Sequence, residues 1–390
     1  MPTTYPVKWI NNAMRGAPQI SGTAGSLLAA IDAFLLTGFG VTTAVNVTVA
    51  NGIATANLQA GQSFDKNVIV LVDGATPAEL NGEARVLTSS SSQITWATTA
   101  AAGVATGTIT IKVAPVGGWA KVFAGTNKAV YQSTDVQGSR FFLRVDDSGT
   151  TAARVRGFES MTDVDTGTGP FPTDAQISGG GYLIKSSLAS AVGVRYDFFA
   201  DSRFVGLAIG AGIPSAAAYT ASPMRGFGDM VALRPSGDVF AVGLSANEKA
   251  TSSYGAGSVD GVKFGVDAIY LSRSVTGLGG AQAAGSLAYV GASTLSGSGA
   301  TLGAFPSLID GELKVSRRYV EAGDGATPRA NVPGVLHIPQ SGVISSIAPR
   351  DTLDGTGEFA GRVLVALGTV VGGFSAPNGL YLVDITGPWR

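Results

Sequence analysis

Five acidic side chains crowd one stretch of this chain: Asp146, Asp147, Glu159, Asp163 and Asp165. Two carboxylates flanking a glycosidic bond, one as acid and one as nucleophile, are the minimal equipment of glycan hydrolysis. Arg140, Arg144, Arg154 and Arg156 alternate with them, however, and that pattern on adjacent strands yields surface ion pairs without catalysis. Structural pairing is the expectation here. Asp163-Val-Asp165-Thr-Gly167 resembles the opening of a calcium loop but lacks the third acidic ligand and the distant glutamate. The chain has one histidine, His337, so any triad or histidine-bound metal would have to use it. Within VPGVLHIPQ it reads as an ordinary strand or loop residue. With no cysteine there is neither thiolate chemistry nor a disulfide.

Phosphate-loop, zinc-protease and nucleophile-elbow patterns do not occur. Gly355-Thr-Gly357-Glu-Phe-Ala360 fits a relaxed dinucleotide fingerprint, but a proline-containing loop precedes it and no βαβ unit surrounds it, so a turn is expected. The reading is therefore non-enzymatic, with no catalytic, metal or cofactor residues. Trp9, Trp96, Trp119 and Trp389 are scattered, which suits core or interface anchors better than a sugar platform.

Charge narrows the partners further. The 390 residues carry 26 Lys and Arg against 27 Asp and Glu, a net −1, with no basic block, which argues against a nucleic-acid binder. Charged residues are 14 % of the chain and apolar ones 45 %. A free monomer so poor in charge is weakly protected against self-association, so an assembly component is favoured. The N-terminal residues lack the pattern of a signal peptide, and the apolar run Ala24 to Phe39 is too short to span a bilayer.

The elements that must position these side chains are mostly strands. Fifty-five glycines punctuate short runs of Val, Ile, Thr, Phe and Tyr. One helix is expected over 24–37, because Leu27, Leu28, Ile31, Phe34 and Leu35 share a face. Ser21 or Thr23 would cap its start, and Gly38 would sit at C′. From 42 to 116 the texture becomes a discrete β module of six candidate strands, with hairpin signals at Asn51-Gly52 and Asn81-Gly82. From 117 to 390 longer, more aromatic runs follow, including SRFFLRVDDSG, ARVRGFESM and GVRYDFFADSRFVGLAIG, then two final strands around a Pro-Asn-Gly turn. The fold class is thus mainly β: a sandwich or barrel body, one N-terminal helix (1–41 with its leading segment) and an inserted small β-sandwich.

Several phrases carry a family resemblance. YPVKWINNAMRGAPQISGTAGSLLAAIDAFLLTGFG, GGWAKVFAGTNKAVYQS, RFFLRVDDSG with ARVRGFESMTDVDTGTGPFPT, and the terminal GPWR resemble virion structural proteins of tailed bacteriophages. The likeness is to the tail and baseplate region in phages of Gram-negative hosts. VLVDGATPAELNGEARVLTSSSSQITW with GVATGTITI resembles a β module common in such proteins. The resemblance implies a homo-oligomeric ring in the virion, made in the host cytoplasm, with copies of itself and other virion proteins as partners. Candidate contacts between subunits are Leu27, Leu28, Ile31, Phe34, Leu35 and Trp389. The competing placements are capsid decoration, head–tail connection, a fibre, or a module that binds or cleaves host surface glycan.

Overall fold

A computed structural model describes residues 5–218, 223–250, 269–288, 302–321, 328–369 and 379–390. Among the described residues every strand ladder is antiparallel, in four hydrogen-bonded sheets with one short α-helix.

Two sheets build the inserted module. A four-stranded sheet contains Phe39–Thr43, Thr110–Val113, Ile69–Asp73 and Gly82–Arg85, and a five-stranded one is centred on Asn46–Ala50, Ile53–Asn57 and Gln93–Ala97. Alternate residues point inward. Val47, Val49, Ala54, Ala56, Ile94 and Trp96 from one sheet, and Val70, Val72, Ala84 and Ile111 from the other, are all buried. Asn51 and Gly52 have φ of 52° and 74°, the left-handed pair that a two-residue hairpin turn demands. Asn81-Gly82 behaves differently: Asn81 is extended, and its side-chain amide instead bonds both the N–H and the carbonyl of Ala75, closing the 75–81 loop. The module begins at Phe39, ahead of the expected boundary at 42, and Phe39 pairs with Val113. Its two ends therefore leave side by side. It does not project freely. Tyr5 N and Lys8 Nζ hold Glu83 at 3.0 and 2.9 Å, and Arg85 donates to the Ile385 carbonyl at 3.0 Å, docking it on the body.

The body has two sheets. A six-stranded sheet runs from Trp119–Gly125 through Lys128–Ser133, Phe142–Asp146 and Ala152–Met161 to Gly167–Phe171, with Gly181–Ile184 also on Ala152–Met161. A thirteen-stranded sheet starts at Lys8–Asn11 and ends at Thr352–Asp354. The run GVRYDFFADSRFVGLAIG is a hairpin rather than one long strand. Tyr196–Ala200 and Phe204–Ile209 turn back at Asp201, whose Oδ1 accepts from the N–H groups of Arg203 and Phe204 at 2.8 and 2.7 Å.

Within the large sheet the pairing returns to its start. Met224–Asp229 pairs Val242–Ser245, which pairs Ile269–Leu271, then Gln282–Ala288, Ser316–Glu321 and Pro328–His337. The last of these also bonds Val231–Ala232, which continues the first strand past Met230. The body thus contains a closed barrel with no free edge in the ring. The outer edges also meet: Arg350, just before the last edge strand, donates to Asp197 and to Asn12 Oδ1, both at 2.7 Å. The Pro-Asn-Gly turn falls largely outside the described residues.

The helix spans Ser26–Asp32 and continues as a wider π turn, Ala33–Thr37. Gly38 closes it with φ 69° and an N–H bond to the Ala33 carbonyl at 2.8 Å, as the sequence predicts for C′. The start differs from expectation, because neither Ser21 nor Thr23 caps it. Gly25 is the cap residue, and the first N–H groups find Asp147.

Candidate interaction surface

The acidic residues part company by face. Asp147 points inward and is fully buried, where its Oδ2 accepts from the N–H groups of Leu27 and Leu28 at 2.8 and 3.3 Å. Its Oδ1 pairs with Lys185, also fully buried, whose ammonium donates to the Thr23 carbonyl at 2.6 Å. Burial pushes the Asp147 carboxyl up, against the pull of Lys185 and the helix N–H groups. This is a structural tie: the carboxylate serves as a helix cap supplied from about 120 residues away.

Asp146 and Asp165 lie on the outer side of the six-stranded sheet, shared between Arg144 (3.3 and 2.5 Å) and Lys128 (3.8 and 2.9 Å). Hydrogen bonds from Arg144 and Lys128 hold the Asp165 carboxyl low. At Asp146 burial pulls upward, but Ser148 and the two cations prevail and lower it. A general acid needs the opposite shift. Glu159 is committed to Arg273 at 2.5 and 2.7 Å, and Asp163 closes its own turn by accepting from Asp165 and Thr166 at 2.8 Å. Arg144 and Arg156 face one another in register, a repulsive pairing relieved because Arg156 turns away to Asp174 at 3.0 Å. No group of three or more metal-capable side chains converges among the described residues.

His337 is buried at the end of Pro328–His337, and burial together with Arg318 pulls its imidazole down to about 3. Gly357–Phe359 forms a single turn between two strands, not a nucleotide loop. All four tryptophans are buried, and the indoles of Trp119 and Trp389 donate to the carbonyls of Asp201 and Asp384 at 2.8 and 2.9 Å. No helix among the described residues is long and apolar enough to cross a membrane.

The residues expected at subunit contacts are used inside the chain. Leu27, Leu28, Ile31, Phe34 and Leu35 are at most 9 % exposed, and Phe34 packs on Phe198 with ring centres 6.0 Å apart. Trp389 sits edge-on to Phe199 and Phe204 at 6.0 and 6.4 Å. The apolar face pattern was real, but the body sheet itself covers it.

Exposed aliphatic side chains are scattered over the described residues, Val45, Val104 and Val136 among them, but two groups stand at opposite ends of the barrel. At one end a tight turn carries Leu308 and Ile309, 101 % and 97 % exposed. Gly311 closes that turn onto the Ser307 carbonyl at 2.8 Å, in the left-handed region that favours glycine. Lys314 braces it through Asp310 and Glu312 at 2.5 and 2.9 Å, keeping the Asp310 carboxyl well below its ordinary range. Buried Gln340 fixes the base, accepting from Lys314 N at 2.7 Å and donating to the carbonyls of Glu312 and Ala304 at 3.2 and 3.4 Å. At the other end a recess of about 380 Å³ is lined by Leu233, Arg234, Val275, Gln282 and Pro328 among others. Arg329 staples its walls, pairing with Asp238 at 2.7 Å and donating to the Arg273 carbonyl at 2.6 Å. Leu233, Val239, Val275 and Leu278 are exposed on these loops. The sequence signal for the turn was an aliphatic pair placed directly before Asp310-Gly311, where polar residues are the rule.

No known protein-family model matches this chain, and no curated protein is a detectable relative.

Proposed function

We propose that this protein is a structural subunit of a tailed-phage virion, in the tail tip or baseplate, assembling as a homo-oligomeric ring. The observation that carries the assembly part is the placement of exposed aliphatic side chains at both ends of one closed barrel, on a chain with 14 % charged residues. Scattered exposed apolar residues are ordinary, whereas a rigidly braced turn tipped by two fully exposed aliphatics gains by being covered. The phage part rests on the sequence phrases that resemble virion proteins. Titratable groups support the same reading, since the buried carboxylates of Asp147, Asp197, Asp201 and Asp238 each pair with a Lys or Arg. Burial of all four tryptophans weighs against a sugar-stacking module.

Gold-labelled antibody against the protein, applied to intact particles, tests this. Labels at the distal end of the tail are expected. Labels over the capsid faces, or particles free of label, overturn it.

A further inference from the structure

The two apolar displays lie at opposite ends of the same strand. Pro328 and Arg329 line the recess, while Ile338 to Ser341 follow the far end of Pro328–His337 and hold the Leu308–Ile309 turn through Leu302 N to the Pro339 carbonyl, and Phe305 N to the Ser341 carbonyl, at 3.1 and 2.9 Å. The strand's two ends pair with Ser316 and Glu321, so they lie on the order of 17 Å apart at about 3.3 Å per residue. They cannot meet within one chain, so each is left for a neighbouring molecule.

We infer that the Leu308–Ile309 turn of one copy seats in the Leu233–Val275 recess of a second copy, so that subunits join head to tail. This deepens the reading of the protein as a self-assembling subunit and rests on it. Three features select another copy of this chain as the occupant. The recess is large enough for two aliphatic side chains and is rimmed by aliphatics, so it offers apolar surface to an apolar tip. The turn carries Asp310 and Glu312 against one Lys314, a net negative knob, and the recess displays exposed Arg234. Both partners are preorganised, the turn by Gln340 and the recess by Arg329, so little ordering opposes docking. A head-to-tail contact of this kind is heterologous, and closes into a ring when its rotation divides the circle.

The absence of cysteine makes the test clean. One preparation carries Ile309→Cys and another Val275→Cys, both exposed sites, and each is oxidised alone and after mixing. Disulfide-linked dimer should rise at least tenfold on mixing, with neither variant forming it alone. Dimer from Ile309→Cys alone, or no gain on mixing, overturns the contact. In parallel, the double variant Leu308→Asp/Ile309→Asp, at the solvent-facing turn, should keep its circular dichroism and weaken self-association at least tenfold by sedimentation. Arg234→Glu should weaken it several-fold. An oligomer indifferent to these changes overturns this contact yet leaves the virion reading standing, whereas antibody label absent from particles overturns that reading whatever the cross-link shows.

Discussion

Between Phe39 and Val113 none of the buried side chains is polar or charged, whereas the body buries Lys8, Asp147, Lys185, Arg195, Asp197, Asp201, Arg225, Arg318 and Arg329 among others. The module is a small sandwich that buries Trp96, and only part of its strand pairing is local: Asn46–Ala50 with Ile53–Asn57 and Ile69–Asp73 with Gly82–Arg85 are near neighbours, whereas Phe39–Thr43 pairs with Thr110–Val113. The body joins distant segments, and its joints are ionic: Asp147 to Lys185, Asp197 to Arg350, Asp201 to the terminal Arg390, Asp238 to Arg329. Apolar packing is non-directional, and in the module it suffices because strict alternation of buried and exposed positions fixes which face of each strand turns inward. In the body, where the helix start, the sheet edges and the last residues of the chain must meet in one arrangement, a buried pair penalises every alternative, because a mismatched joint leaves a charge buried alone.

The sharpest way to break this contrast is Asp147→Ala. It strands the Lys185 ammonium and removes the acceptor for two helix N–H groups, so a loss of about 3–5 kcal/mol from the charge and about 1 kcal/mol from the cap is expected. Denaturant unfolding should show the loss in the body transition, and Asp147→Leu with Lys185→Met should recover much of it. If Asp147→Ala costs under about 1 kcal/mol, the tie is ornamental. Trp96→Ala is the matching change in the module, expected to cost about 3–5 kcal/mol through the cavity it leaves. Amide exchange should then quicken across 39–113 and little elsewhere; a uniform quickening would show that the two regions melt as one.

Protonation sharpens the comparison from another side. His337 in the body is held neutral by burial, with its folded value near 3 against 6.5 when unfolded. Below pH 6.5 the unfolded chain takes up a proton that the folded chain refuses, so stability falls as pH drops from about 6.5 toward 3. Burial raises Asp147, Asp197 and Asp201, which bends the profile the opposite way in the acid range, their folded forms taking up protons above the ordinary carboxylate value. The difference between wild type and His337→Phe isolates the histidine. It should widen by up to a few kcal/mol across that window, and a flat difference would contradict its burial as the neutral form. The smallest expected effect is Gly52→Ala, about 1–2 kcal/mol from forcing a Cβ into the left-handed region, confined to the module.

The same contrast governs what the sequence disclosed. In the module the turn chemistry of Asn51-Gly52 and the alternation of its strands are local signals, and the hairpin and the inward-facing positions follow them. The helix face and Gly38 were equally legible. The capping role of Asp147 was not, since its partners Leu27 and Lys185 lie 120 and 38 residues away. The turn at Asp201 was hidden because it uses a side-chain acceptor instead of glycine. The leucines of the helix were read as an interface for a related reason: periodicity tells that a face is covered, not by what.

A reconstruction of the particle at side-chain resolution tests the central claim most directly. The account predicts several copies ringed about the tail axis, each placing Leu308 and Ile309 against Leu233 and Val275 of its neighbour. A particle holding a single copy, or copies whose barrel ends face only solvent, would contradict it.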